Sequence, residues 1–141
     1  GFNFRSGEIN AVIGLTQLSH LDRFIQIRKE NLTQFDSILR KHPELFKPFN
    51  LKGNSSMVLP FICQTSQIRN TVLEKLEEQG IETRPFLVGN ILNQPFVNAL
   101  EVVATPNADF LDKCGFYIGN NQFVGKKELR LLEKALSEVL I

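Results

Sequence analysis

The sequence predicts an α+β domain built as a two-layer sandwich, with helices on one face of a small, mainly antiparallel sheet. Three observations predict it. The spacing of apolar residues changes along the chain, from steps of three and four to short unbroken runs and back. The strand-like runs are few and short, and helical stretches separate them. A chain of 141 residues with 43% apolar content suits one compact unit with a core of its own.

From Glu8 to about Arg40, the residues Ile9, Val12, Ile13, Leu18, Leu21, Ile25, Leu32, Phe35 and Leu39 recur mostly at helical steps, which predicts one long amphipathic helix. Unbroken, it would run about 50 Å, which outspans a small domain and so predicts a bridge to a neighbouring domain or subunit. Asp22, Arg23, Arg28, Lys29 and Glu30 fall on its solvated face, and His20 reads as a surface or capping histidine because no second ligand stands at helical spacing. Pro43 closes this helix by pushing the preceding residue out of helical geometry. Residues 44–56 form a connecting loop, and Met57–Cys63 is a strand that Pro60 assigns to an edge or a bulge. Thr65 or Ser66 caps a second helix whose inward residues are Ile68, Val72, Leu73 and Leu76, and Gly80 ends it. Ile81–Leu87 is expected as a second strand, Val88–Ala108 as a long irregular loop, and Phe116–Gly119 as a third strand. The last helix, roughly Lys126–Leu140, presents Leu129, Leu132, Leu136 and Val139 on one face.

Composition excludes several classes of partner. A net charge of +1 with both signs mixed along the chain offers no footprint for nucleic acid or a membrane surface. No apolar stretch is long enough to span a bilayer and no secretory leader is present, so a soluble, cytoplasmic protein is expected. Cys63 and Cys114 lack metal-site spacing and are read as reduced and buried. Twelve Phe and no Trp form a bias to which the sequence attaches no function. No nucleophile-base pair, carboxylate pair or metal cluster emerges, so no catalytic residue and no metal ligand is assigned.

Two stretches carry candidate binding chemistry. In an extended conformation Asn3 and Arg5 leave one edge of the opening segment while Phe2 and Phe4 are buried on the other. Ser6 can then cap the following helix, and Glu8 complements its dipole. An amide and a guanidinium beside a helix N-terminus make an anion pocket; the plainer reading is an aromatic-anchored cap with a solvent-exposed Arg5. Farther on, Gly89, Asn90, Asn93, Gln94 and Pro95 precede the turn residues Pro106 and Asn107, and such amides can read sugar hydroxyls and carbonyls without bringing charge. Arg84, just before Pro85, suits a phosphate or carboxylate. The plainer alternatives are a strand-end salt bridge for Arg84 and turn chemistry for the amides. The polar turn Gly119-Asn120-Asn121-Gln122 either faces a ligand or caps the sheet.

The run Gly1-Phe2-Asn3-Phe4-Arg5, followed by Glu8-Ile9-Asn10-Ala11 and Gly14-Leu15-Thr16-Gln17-Leu18, resembles the opening motif of the DegT/StrS group of pyridoxal-phosphate-dependent nucleotide-sugar aminotransferases and their dehydrase relatives. A second block, Gly80-Ile81-Glu82-Thr83-Arg84-Pro85 with Gly89-Asn90 and Gln94-Pro95, is similar to the branch that includes 4-keto-sugar dehydrases. The resemblance implies that residues 1–141 form the C-terminal small domain of a fold-type-I enzyme. It further implies pyridoxal 5'-phosphate as cofactor, a nucleotide-linked keto-sugar as substrate, a homodimer, and a place in polysaccharide or lipopolysaccharide sugar synthesis. By the same resemblance Asn3 reaches the cofactor phosphate across the dimer, Arg5 stands near it, and Arg84 and Asn90 face the sugar-nucleotide pocket. The cofactor lysine, or the histidine that replaces it in some dehydrases, lies upstream of the opening motif in the family. This chain is therefore expected to lack the cofactor-binding large domain, to be a piece of a larger protein and to be inactive alone, with Lys126 and Lys127 merely solvated. Where the family often has a His-Pro turn, Gly119-Asn120-Asn121-Gln122 stands instead, which leaves substrate and reaction type open. The alternative is a free-standing, non-catalytic α+β binding or regulatory module, which predicts no upstream segment.

Overall fold

The computed structural model describes residues 7–87, 89–97 and 105–139. Among them are helices α1 (Glu8–Leu18), α2 (Leu21–Leu39) and α3 (Ser66–Glu78), strand β1 (Val58–Ile62), helix α4 (Pro106–Cys114), strand β2 (Gly115–Gly119) and helix α5 (Lys126–Ser137). Two short 3₁₀ turns, Ile91–Asn93 and Pro95–Val97, precede α4. The architecture is α+β, with helices layered on one face of an antiparallel pair.

The long first helix of the sequence reading is two helices. Ser19 Oγ donates to the Thr16 carbonyl at 2.7 Å, and the His20 N–H reaches back three residues to Gln17 at 3.0 Å. That tighter turn interrupts the four-residue ladder, and α2 starts afresh with His20 at its N-cap. The two halves differ in cover. α1 buries no residue, whereas α2 buries Asn31, Leu32, Phe35, Asp36, Ile38 and Leu39.

The sheet is smaller than expected. β1 and β2 pair with Leu59 opposite Ile118, Pro60 opposite Tyr117 and Phe61 opposite Phe116. The expected strand at Ile81–Leu87 reduces to a single bridge, Arg84 with Tyr117. Glu82 follows directly on the cap of α3, Pro85 has no N–H to donate, and the chain turns away at Phe86, whose carbonyl accepts from Gly89 N–H at 3.2 Å. Arg84 and Tyr117 nevertheless exchange both backbone bonds, at 2.9 and 2.8 Å. Tyr117 therefore turns its backbone groups away from β1. Pro60, opposite it, faces its missing donor to the outer edge, the edge position predicted for it.

The turn chemistry around α3 is as the sequence reads. Thr65 Oγ1 accepts from the Ile68 N–H, and Gly80 stands at φ +70° while Ile81 N–H reaches the Leu76 carbonyl at 2.9 Å and Gly80 N–H that of Glu77 at 2.8 Å. This double closure satisfies two carbonyls at the helix end. The stretch expected to be loop through Ala108 instead yields α4, with Pro106 in its first turn. Proline there fixes a helical φ where no donor is needed, so the Pro-Asn pair starts a helix rather than turning a loop.

Leu59, Phe61, Phe116 and Ile118 face the helices and join Leu32 and Phe35 of α2, Val72 and Leu76 of α3, and Leu129, Leu132 and Leu136 of α5 in one core. Phe61 is its hub. Its ring stacks on Phe116 at 4.4 Å and 6°, takes Phe35 edge-on at 4.9 Å and meets Phe46 at 5.6 Å. Part of the phenylalanine bias is thus core packing.

Candidate functional site

The other face of the sheet carries the candidate chemistry. Val58, Pro60, Ile62 and Tyr117 alternate with the core residues and are only half-buried. Because Arg84 and Tyr117 are directly paired, their side chains leave the sheet on this same face. Phe86, two residues beyond Arg84, lays its ring against Tyr117 with centroids 6.2 Å apart and planes 22° off parallel. Arg84 extends outward with its side chain 66% exposed, and its Nη2 and Nε meet Glu82 Oε1 at 2.5 and 2.9 Å. This ion pair is the strand-end salt bridge weighed above. Exposed pairs of this kind contribute little, so the guanidinium remains available to a stronger anion.

Glycines shape the floor. A Cβ on Gly115 would lie 2.2 Å from Phe86 Cε2, so only glycine lets that ring lie down. At Gly119, on the other side of Tyr117, an added Cβ would meet nothing within 4 Å. Among the described residues, Tyr117 is therefore packed on the Gly115 flank and open on the Gly119 flank.

Asn90 behaves differently from Arg84. It is buried, its Oδ1 accepts from Leu92 N–H at 3.1 Å, and its Nδ2 donates to Thr105 Oγ1 at 3.0 Å and to Asp109 Oδ1 at 2.7 Å. Asn93 adds bonds to Asp109 and Asp112 at 3.4 and 3.3 Å. Gly89, at φ +60°, is held so tightly to α4 that a Cβ would fall 2.2 Å from Asp112 Oδ1. The Gly-Asn pair thus fastens the segment after Arg84 to the first turns of α4.

Asn120 completes a second amide hub. It is 2% exposed, donates to the carbonyls of Arg28 at 3.1 Å and Ser56 at 2.8 Å, and accepts from Asn31 Nδ2 at 3.1 Å. Its turn therefore caps the sheet, the plainer of the two readings. Asn31 was missed by sequence reasoning, yet a signal existed: it stands four residues from both Ile27 and Phe35 on the apolar stripe. Tyr117 and Phe86 were missed as site residues too. Their signal was the alternation Gly115-Phe116-Tyr117-Ile118-Gly119, which puts one aromatic ring on each face.

Asn3 and Arg5 lie outside the described residues. A groove of about 340 Å³ between α5 and the segment after α3 is lined by Ile81, Glu82, Ile118, Gly119, Glu128 and Leu131, and another of about 310 Å³ touches Phe86, Gly89 and Asp112. Among the described residues, neither of these two grooves is lined by Arg84 or Asn90. Cys63 and Cys114 are free and buried, as expected, and burial pushes the Cys63 thiol up to about 12. Among the described residues no group of His, Cys, Asp and Glu could hold a metal ion, and no helix is long and apolar enough to cross a membrane.

The model of the DegT/DnrJ/EryC1/StrS aminotransferase family matches residues 1–119. The chain is 32% identical over 142 residues to GDP-4-keto-6-deoxy-D-mannose 3-dehydratase of Escherichia coli O55:H7, a match covering 96% of this chain and 37% of that protein. A solved structure of the E. coli GDP-4-keto-6-deoxy-D-mannose-3-dehydratase with bound hydrated PLP superposes with a TM-score of 0.83 at 32% identity, covering 96% of this chain and 36% of the other. A sugar aminotransferase from Micromonospora echinospora superposes with a TM-score of 0.85 at 16% identity, covering 99% and 37%, a likeness of fold alone. The chain spans about 37% of the length of the dehydratase it matches.

Proposed function

This chain belongs to the DegT/DnrJ/EryC1/StrS aminotransferase family, and on that premise we propose that it is the small domain of a pyridoxal-phosphate-dependent enzyme that removes or replaces a substituent on a nucleotide-linked keto-sugar, in the synthesis of cell-surface polysaccharide. The observation that carries the proposal is the 32% identity to a GDP-keto-sugar dehydratase sustained over 96% of the chain. The parent enzyme is a cytoplasmic homodimer in this reading. Bound pyridoxal phosphate would supply an electron sink for bonds broken beside the sugar carbonyl.

This chain's own contribution is recognition and position. Arg84, exposed and paired with Glu82, offers a two-pronged donor to the substrate diphosphate. Asn90 keeps its place in the substrate region by fixing the segment that follows Arg84. Asn3 and Arg5 are proposed to meet the cofactor phosphate of the neighbouring subunit. Every described lysine is exposed or half-buried, so none is offered as the covalent anchor. Helix α1 fits the same scheme. Ile9, Val12, Ile13, Leu15 and Leu18 point around it and all are exposed, as expected of a helix that the rest of a longer protein covers.

The test is to incubate the full-length gene product with GDP-4-keto-6-deoxymannose, pyridoxal phosphate and an amino donor, and to weigh the sugar products by mass spectrometry. Loss of a hydroxyl indicates dehydration, and gain of an amine indicates transamination. Unchanged substrate together with no cofactor absorbance would overturn the proposal in favour of a binding or regulatory module.

A further inference from the structure

We propose that Tyr117, backed by Phe86, is a specificity-determining residue: an aromatic shelf that takes the C–H face of the substrate's sugar ring while Arg84 holds its phosphate. The inference rests on the reading of Arg84 as the anion contact and deepens it by naming what lies beside the anion.

Four observations converge. The two backbone bonds between Arg84 and Tyr117 fix guanidinium and phenol as neighbours on one face of the sheet. Phe86 fills the space over Gly115 and stacks on Tyr117, which sets the ring's position from one side. The opposite flank, over Gly119, is open among the described residues, with none of their atoms within 4 Å of where a Cβ would stand. Pro60, across the ladder from Tyr117, adds an apolar floor. A positioned ring with one free flank beside an exposed cation suits a ligand that is anionic at one end and has an apolar face next to it. A glycosyl phosphate has that order of groups, because the C–H bonds on one side of the ring form an apolar face directly attached to the phosphate.

The shelf's preference is for the sugar, not the base. The stretch from Tyr117 to Gly119 is two residues, about 7 Å, which matches one pyranose ring adjoining Arg84; a base, separated from the sugar by the diphosphate, would fall beyond it.

The 141-residue chain has a single Tyr and no Trp, so tyrosine signals report on Tyr117 alone. NMR titrations with mannose 1-phosphate, GDP and inorganic phosphate, read at the Tyr117 ring and the Arg84 Nε–H, test the proposal. Mannose 1-phosphate is expected to shift both groups and to bind about tenfold more tightly than inorganic phosphate. Y117F should keep that preference, whereas Y117A should bring both probes to the same affinity, with the wild-type ranking standing as evidence should Y117A fold poorly. Equal affinities in the wild type, abolished by R84Q, would overturn the shelf and leave the Arg84 reading intact. A Tyr117 shift with GDP but not with mannose 1-phosphate would overturn the assignment to sugar. Binding of none of the three would overturn shelf and anion contact together.

Discussion

Asn120 shows how much one side chain can hold. Its amide spends both donors and its acceptor on two segments, the Arg28 carbonyl and the Asn31 amide of α2 and the Ser56 carbonyl in the loop before β1. Asn120→Ala would strip a bond from each of those partners, leaving Asn31 held, among the described residues, by the Val124 carbonyl alone, so urea unfolding should show a loss of about 3 kcal/mol. Arg84, two-thirds exposed, is the contrasting case: Arg84→Gln should leave the unfolding midpoint nearly unchanged. Cys63 gives a pH signature. Its folded thiol keeps its proton to about 12, against an ordinary value of 9.0. Between those pH values the folded state binds more protons than the unfolded one, so stability should fall as pH rises from 9 toward 12. Cys63→Ser, checked by melting temperature against pH, should flatten that slope. At pH 8 the native thiols should react with a disulfide reagent only as fast as the protein opens.

At the scale of elements, two glycines with positive φ separate strain from collision. Gly80, which closes α3 at φ +70°, has nothing within 4 Å of an added Cβ, so Gly80→Ala should cost only backbone strain, about 1 kcal/mol. Gly89, at φ +60°, is pressed against Asp112, so Gly89→Ala must also displace that carboxylate and loosen the segment from α4. Denaturant midpoints should rank the wild type first, then Gly80→Ala, then Gly89→Ala. The reverse order would mean that the junction with α4 adds little to stability. Element type was legible wherever local chemistry ruled. Thr65 and Gly80 bounded α3, and the Leu129, Leu132, Leu136 spacing revealed α5, because caps and stripes are written within a few residues. The strand at Ile81–Leu87 and the loop before α4 were misjudged for the opposite reason. An extended segment becomes a strand only if a neighbour accepts its bonds along its length, and here a turn at Phe86 removes the chain after one pair.

For the molecule as a whole, α1 is the feature out of balance. Leu15 is 69% exposed, Ile9 77% and Val12 65%, on a helix that buries nothing. The 141-residue chain should therefore self-associate as its concentration rises, and sedimentation should show it. Val12→Lys with Ile13→Glu should reduce the association and leave the melting temperature in place, because neither residue belongs to the core. A fall in melting temperature would mean that α1 packs on this domain in solution. The candidate site is also a property of the whole. Arg84 could be named from its place before Pro85, but its neighbour Tyr117 lies 33 positions on and is brought to it by the sheet.

By itself the sequence determined the α+β class, the ends of α3, the core stripe of α5, the edge position of Pro60 and the family, since each depends on residues close together in the chain or on an unbroken motif. Only the tertiary structure decided that the sheet has a single full pair among the described residues, that Asn90 and Asn120 are buried fasteners, and that Tyr117 stands beside Arg84. The physical reason is one of range: caps, periods and motifs act over a few residues, whereas burial and cross-strand pairing depend on which distant segment arrives opposite.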